Sequence, residues 1–321
     1  MNIKQLALEA EVRIRPHIRE TPLEHSPYLS RLGNCKVYLK LENMQISGSF
    51  KFRGATNIFL SLTDQEKNCG VATASSGNHG AAVAYLLDKF NCTGTIYLPD
   101  YASPAKVEEL RLYQGVELQF HGSDCIDTEN YARAQAQKNH QTYIPPYNHP
   151  LIVAGQATCG IELQKQLPDL DAVLVPVGGG GLICGIAGYL KSDNQNVEII
   201  GCQPQNSAVM YESIKAGHIL DMPSKPTISD GSAGGIEPDS ITFDICRQYV
   251  DDFILTSEQE IIDALKLILE KHYMLVEGSG ALAVASFVKE KNQFENKNVV
   301  LVISGKKIAL DTLKKILCAG N

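Results

Sequence analysis

The sequence predicts an α/β protein of two interleaved lobes, with parallel-rich twisted sheets covered by helices. Three observations carry that prediction. Short apolar runs of strand length alternate with helical patterns along nearly the whole chain, the signature of βαβ units. No long linker divides the 321 residues, about two domains' worth of chain at ~150 residues each. Two lobes sharing one cleft therefore fit better than two tethered domains. Several of the 26 glycines cluster just beyond strand-like runs, where open α/β sheets bind ligands.

Taken in order, Met1 to Arg19 mixes charges at helical spacing and lacks the apolar core of a secretory signal. Lys36 to Leu41 (KVYLKL) reads as a strand. Cys69 to Ala74 is a short apolar run that stops at Ser75 and Ser76, and Gly80 to Phe90 follows as a buried helix. Thr95 to Leu98 is again strand-like. Ser103-Pro104 supplies an N-cap and a first-turn proline for a helix through Tyr113. Val116 to Phe120 is a strand and Thr128 to Lys138 a helix. Tyr143 to Pro150 (YIPPYNHP) breaks the rhythm, which resumes with a helix from Gly155 to Gln166. Ala172 to Val177 then delivers the chain into Gly178-Gly179-Gly180-Gly181, and Leu182 to Leu190 continues as a helix. Val197 to Gly201 and Asp251 to Leu255 are strands. Ser257 with Glu260 forms a capping box for the helix to His272, and Val299 to Ile303 is the last buried strand.

Composition removes several classes of function. With 44% hydrophobic and 20% charged residues the chain buries a core, so disorder is excluded. The formal charge of −7, with 29 Lys+Arg against 36 Asp+Glu, offers no basic patch to neutralise a phosphate backbone, so no nucleic-acid partner is expected. No apolar run approaches the ~18 residues of a membrane span, so no membrane partner is expected either. Nine cysteines without a C-x-x-C pair resemble neither a disulfide framework nor a zinc ribbon. They suit a reduced, cytoplasmic enzyme whose thiols fill core space.

Four loops share a pattern of strand, small or polar residues, then helix: Thr73 to Gly80, Val177 to Leu182, Glu277 to Gly280, and Ser304-Gly305. The four-glycine run reads as a flexible turn or an anion cradle, and the strand before it and helix after it favour the cradle. It departs from G-x-G-x-x-G, and no acid follows the next strand to hold a ribose, so a single phosphate carried by a cofactor fits better than a dinucleotide. A lone lysine near a helix start is ordinarily a solvated charge. Lys51, however, lies between Phe50 and Phe52 after a polar turn, where desolvation would lower its pKa and free a nucleophilic amine. Ser75-Ser76-Gly77-Asn78-His79-Gly80 reads as a capped turn or a third polar site.

Lys51 in SGSFKFRG, SSGNHG at Ser75 to Gly80, GGGG at Gly178 to Gly181 and SG at Ser304-Gly305 together resemble the fold-type II pyridoxal-phosphate enzymes, in the threonine/serine dehydratase and serine racemase branch. The likeness runs from RETPL at Arg19 to Leu23 through the final strand. It implies a tryptophan synthase β-like fold, with residues 1–54 and 147–321 as the large cofactor-binding lobe and 55–146 as a small mobile substrate-side lobe. It implies pyridoxal 5'-phosphate as cofactor, Lys51 as its Schiff-base lysine and Phe50 packed beside the ring. Asn78 would meet the ring hydroxyl and Ser304 the pyridine nitrogen. Gly178, Gly179, Gly180, Gly181 and Leu182 would hold the phosphate through backbone N–H groups. Ser75, Ser76, Gly77, Asn78 and His79 would bind the substrate carboxylate. Ser76 matches the serine acting opposite the lysine in racemases, and Glu277 an acid near the cofactor.

The resemblance implies an ammonia-lyase converting a 3-hydroxy amino acid, L-threonine or L-serine, to a 2-oxo acid and ammonia. An amino-acid racemase using Lys51 and Ser76 is the alternative, and a homodimer is implied in either case. Two departures stand out. The loop after the strand ending near Gly201 reads Gln203 to Val209 without a carboxylate, so the divalent cation of serine racemases is not expected. The family's SGGN is here Ser304-Gly305-Lys306-Lys307, and the two lysines read as a solvated helix start. Because the chain ends at Asn321, no C-terminal regulatory domain and no isoleucine feedback are expected.

Overall fold

A computed structural model describes residues 1–100, 102–122 and 125–318. Among these residues the strands form two sheets. The first holds β1 (Leu23–His25), β2 (Lys36–Lys40), β7 (Ala172–Pro176), β8 (Glu198–Pro204), β9 (Asp252–Thr256) and β10 (Asn298–Val302), in the order β1-β2-β10-β7-β8-β9. The second holds β3 (Val71–Ala74), β4 (Gly94–Leu98), β5 (Val116–Phe120) and β6 (Thr142–Tyr143), in the order β5-β4-β3-β6. Every pairing is parallel except β1 with β2. Residues 71–143 thus supply the whole four-stranded sheet.

Parallel strands covered on both faces lack polar alternation, which explains the uninterrupted apolar runs of β7 and β10. Val173, Val175, Val300 and Val302 point to one face of the larger sheet, against helices Pro150–Gln166 and Gly181–Asp193. Ala172, Leu174, Val299 and Leu301 point to the other, against Glu258–His272 and Gly278–Glu290. Phe52, Ile58 and Phe59 of helix Lys51–Ser61 share a third core with Leu86 and Leu87 of helix Asn78–Lys89.

Helices Lys51–Ser61 and Pro150–Gln166 cross in backbone contact. A Cβ on Gly155 would lie 2.6 Å from the Cα of Gly54 and 2.7 Å from the carbonyl oxygen of Arg53. Beside this crossing Arg53, 0% exposed, donates to both oxygens of Glu42 at 2.7 Å and to Glu162 at 2.7 and 2.8 Å. Lys40 also donates to Glu162, at 2.5 Å, as does Arg15 at 2.8 Å. Burial raises the Glu162 pKa, but Arg53 and Lys40 outweigh it and hold the carboxyl well below the usual range.

Several boundaries differ from the sequence reading. The helix expected from Gly155 starts at Pro150, because His149 caps it by accepting from the Leu151 N–H at 3.1 Å. The helix expected from Gly80 starts at Asn78. Two of the four loops do not join a strand to a helix. Glu277 heads helix Gly278–Glu290 but follows helix Glu258–His272, and Ser304-Gly305 is followed by irregular chain until helix Leu310–Cys318. Lys306 and Lys307 are therefore not a helix start: the Lys306 N–H donates to the Gly48 carbonyl at 3.1 Å, pairing this stretch with the segment before Lys51.

Candidate active site

The site forms where β3, β7 and β10 end, at the side of each sheet that the strands' C-termini share with helix starts. Lys51 begins its helix directly beyond an antiparallel bridge between Ser49 and Gly305. The Phe50 N–H donates to the Ser304 carbonyl at 3.1 Å, so the lysine is anchored to the end of β10. Its Nζ donates to the Pro146 carbonyl at 2.8 Å and lies 5.3 Å from the Phe50 ring centroid. Burial lowers its pKa to about 8, against the opposing charges of Glu129 and Glu277. A fraction of the amine is therefore neutral near physiological pH, and most of it above about pH 8, as a nucleophile requires.

The loop after β3 is tightly folded. The Ser75 N–H donates to the Tyr97 carbonyl at 3.2 Å, and Ser75 Oγ accepts from the Gly77 N–H at 3.2 Å. A Cβ on Gly80 would stand 2.1 Å from the Ser75 carbonyl oxygen, so only glycine permits this return. Ser76 lies half-buried in the loop, and space around Gly77 is open. The helix starting at Asn78 has no side-chain cap, leaving first-turn N–H groups and the positive dipole end for an anion. The His79 imidazole is directed elsewhere: its Nε2 donates to the Ile144 carbonyl at 3.0 Å. Burial and the nearby Lys51 lower its pKa to about 3, so it is neutral.

Asn78 and Glu277 join the two sheets' loops. Asn78 Nδ2 donates to Glu277 Oε1 at 2.8 Å, while Asn78 Oδ1 is buried without a partner among the described residues. Glu277 Oε2 accepts from the Lys307 N–H at 3.0 Å. Burial raises the Glu277 pKa to about 7, with the Asn78 hydrogen bond opposing. Gly305 must lack a side chain, because a Cβ there would lie 2.4 Å from Glu277 Oε1. Ser304, 2% exposed, is adjacent.

Helix Gly181–Asp193 begins on the glycine run. Gly180 adopts φ +84° and provides no side-chain cap, so the first-turn N–H groups, including that of Leu182, are again offered to an anion. The Leu182 side chain itself packs into the core. Tyr147 is a residue that the sequence reading passed over. Its ring fills the space a Cβ on Gly179 would need, at 2.6 Å, and its hydroxyl accepts from the Glu237 N–H at 2.8 Å. The irregular YIPPYNHP segment is its only sequence signal: a Pro-rich connection held across the cleft between Lys51 and the glycine run.

Among the described residues there is no cluster of three or more His, Cys, Asp or Glu suited to a metal. Strand β8 runs to Pro204, beyond the end expected near Gly201. In the segment from Gln203 to Val209, Gln203 Oε1 accepts from the Tyr211 N–H and Asn206 Nδ2 donates to the Pro226 carbonyl. The residues that converge do fit pyridoxal phosphate. Lys51 offers an amine for its aldehyde, the unpartnered Asn78 oxygen an acceptor for its hydroxyl, and the uncapped glycine run N–H groups for its phosphate.

Comparison with known proteins agrees. The sequence model of the family described as "Pyridoxal-phosphate dependent enzyme" matches residues 14–305. L-threonine ammonia-lyase of Thermotoga maritima is 36% identical over 312 residues, covering 97% of this chain and 77% of that protein. The processed form of threonine deaminase isoform 2 from Solanum lycopersicum has a TM-score of 0.93 at 32% identity, covering 99% of this chain and 94% of that one. Maize serine racemase has a TM-score of 0.92 at 31% identity, covering 98% and 96%. With the family match running over most of its length, the chain belongs to the pyridoxal-phosphate dependent enzymes.

Proposed function

We propose that this enzyme is an ammonia-lyase (a dehydratase) that converts a 3-hydroxy amino acid, L-threonine or L-serine, to the 2-oxo acid and ammonia. The observation that carries the reading is Lys51, a desolvated amine placed where the loops after β3, β7 and β10 meet. Bound pyridoxal phosphate supplies the electron sink that lets the substrate's Cα proton leave. Lys51 Nζ, neutral above about pH 8, receives that proton. The N–H groups at the start of helix Asn78–Lys89, with Ser75 and Ser76, hold the substrate carboxylate. Glu277 holds Asn78 in place through Nδ2 and leaves its Oδ1 free. Loss of the β-hydroxyl and then of the amine, with water restoring the carbonyl oxygen, gives 2-oxo acid plus ammonia without net consumption of water.

The reading divides the chain into a large lobe, 1–54 and 147–321, and a small substrate-side lobe, 55–146. Confinement of the four-stranded sheet to residues 71–143 supports that division. It also takes the enzyme as a cytosolic homodimer, which rests on the family resemblance and is tested by sedimentation of the loaded protein. The alternative, a racemase, keeps Ser76 as its second proton-carrying group. The deciding assay incubates the loaded enzyme with L- and D-3-hydroxy amino acids and measures 2-oxo acid and enantiomer separately. Conversion of L-threonine to 2-oxobutyrate without D-product is expected; enantiomer exchange with little ammonia would replace the lyase by the racemase.

A further inference from the structure

Lys307 stands where the family's SGGN has asparagine, and the structure gives it two contacts that the reaction scheme above does not use. Its backbone N–H donates to Glu277 Oε2 at 3.0 Å, the carboxylate whose other oxygen holds Asn78. Its ammonium forms an ion pair with Glu109, which lies on helix Pro104–Arg111. That helix covers the four-stranded sheet, in the connection from β4 to β5, whereas Lys307 follows β10 of the six-stranded sheet. The ion pair therefore spans the cleft.

Two further pairs cross the same cleft with the charges reversed, the cation on the covering helix. Lys106, one turn before Glu109 on the same helix, meets Asp230 at 3.0 Å. Arg133, on helix Cys125–Lys138, meets Glu237 at 3.2 Å, next to the N–H that holds the Tyr147 hydroxyl. All three large-lobe partners sit close to site residues: Lys307 after Ser304 and Gly305, Asp230 in the turn whose Ser232 backs onto Gly178, and Glu237 against Tyr147. The covering helices are thus seated on the walls of the site. Of these three pairs, only the one at Lys307 has a residue that touches both a cover helix and the Asn78–Glu277 bond.

We propose that Lys307 is a positioning residue for the reaction, seating helix Pro104–Arg111 over the cleft through Glu109 while its backbone N–H orients the carboxylate that holds Asn78. This rests on the two-lobe lyase reading above. Half-exposed ion pairs are individually weak and screened by salt, so the effect of losing one is a factor of a few and depends on ionic strength.

The test uses the pyridoxal-phosphate-loaded enzyme with L-threonine, and the variants Lys307→Met, Glu109→Gln, their double, and the exchange Lys307→Glu with Glu109→Lys. At low salt each single variant should raise KM about threefold, more than it lowers kcat. The double should be no worse than either single, because they remove one interaction. The charge exchange should recover most of the loss, and all differences should vanish near ~1 M salt, where the Debye length is about 3 Å. Amide hydrogen exchange in residues 104–111 of the substrate-free loaded enzyme should quicken in Lys307→Met. Equal KM across the set at low salt, or additive losses in the double, would overturn the proposal, as would unchanged exchange in that helix. Wild-type enzyme inert toward every 3-hydroxy amino acid would instead sink the lyase reading, and the exchange measurement would still decide the role of Lys307.

Discussion

Replacing Arg53 by methionine should cost more stability than any surface change, and the structure sets the amount. The guanidinium is fully buried and makes charge-assisted bonds to two carboxylates, Glu42 and Glu162, both at most 2% exposed. Methionine fills most of the volume, so the loss arises chiefly from leaving buried carboxylates without their main partner. Removing one member of such a cluster costs about 3–5 kcal/mol. Lys40 and Arg15 remain to neutralise Glu162, which favours the lower half of that range; Glu42 keeps the Thr21 hydroxyl, at 2.6 Å. At about 2.1 cal/mol/K per residue, the unfolding entropy of 321 residues is about 0.7 kcal/mol/K, so a loss of ~3.5 kcal/mol lowers the Tm by about 5 °C. Thermal unfolding followed by circular dichroism on cofactor-free protein avoids a shift from ligand binding. Arg53→Lys keeps the charge but loses the two-pronged geometry and should fall between. In Glu42→Gln combined with Arg53→Met, the losses should sum to less than their separate values. A fall of less than ~2 °C in Arg53→Met would refute the reasoning, because the cluster would then be as replaceable as an exposed pair.

Other consequences can be checked singly. Lys51→Ala should abolish both turnover and the visible absorbance that added pyridoxal phosphate acquires on the protein. Because the neutral amine is the reactive form, capture by wild-type protein should rise with pH through about 8, and a midpoint near the unperturbed 10.5 would contradict its desolvation. Glu162, whose folded pKa is depressed, contributes stability that is fully present above its unfolded value of about 4.5 and is lost as pH falls through the folded value. Urea titrations on the acid side should show that loss in wild type and much less of it in Glu162→Gln. Gly305→Ala places a methyl 2.4 Å from Glu277 Oε1 and should destabilise the fold by about 1–3 kcal/mol while weakening cofactor binding; a wild-type cofactor titration would show that Glu277 can move aside freely.

What the sequence discloses of this fold depends on how local the cause of each element is. β7 and β10 are legible because both faces are buried, so their residues are apolar whatever pairs with them. β1 and β6, three and two residues long, have no pattern of their own and exist because β2 and β3 offer edges. The same distinction governs the site. A glycine run between strand and helix has one economical use, and Lys51 between two phenylalanines signals a dry amine through its chain neighbours alone. Tyr147 carries no such mark and Lys307 stands out only as a departure from SGGN, since each matters for what it meets in the folded chain, roughly thirty residues away or more. Arg53 is the extreme case. In sequence it is one more cation beside Lys51, to be counted as solvated; its partner Glu162 is 109 residues away, and neither charge could be buried without the other. The backbone contact of Gly54 with Gly155 is what brings the two helices close enough for the pair to form. The step from the legible lysine to a working site therefore runs through a glycine crossing and a buried ion cluster, both of which exist only once the chain has folded back on itself.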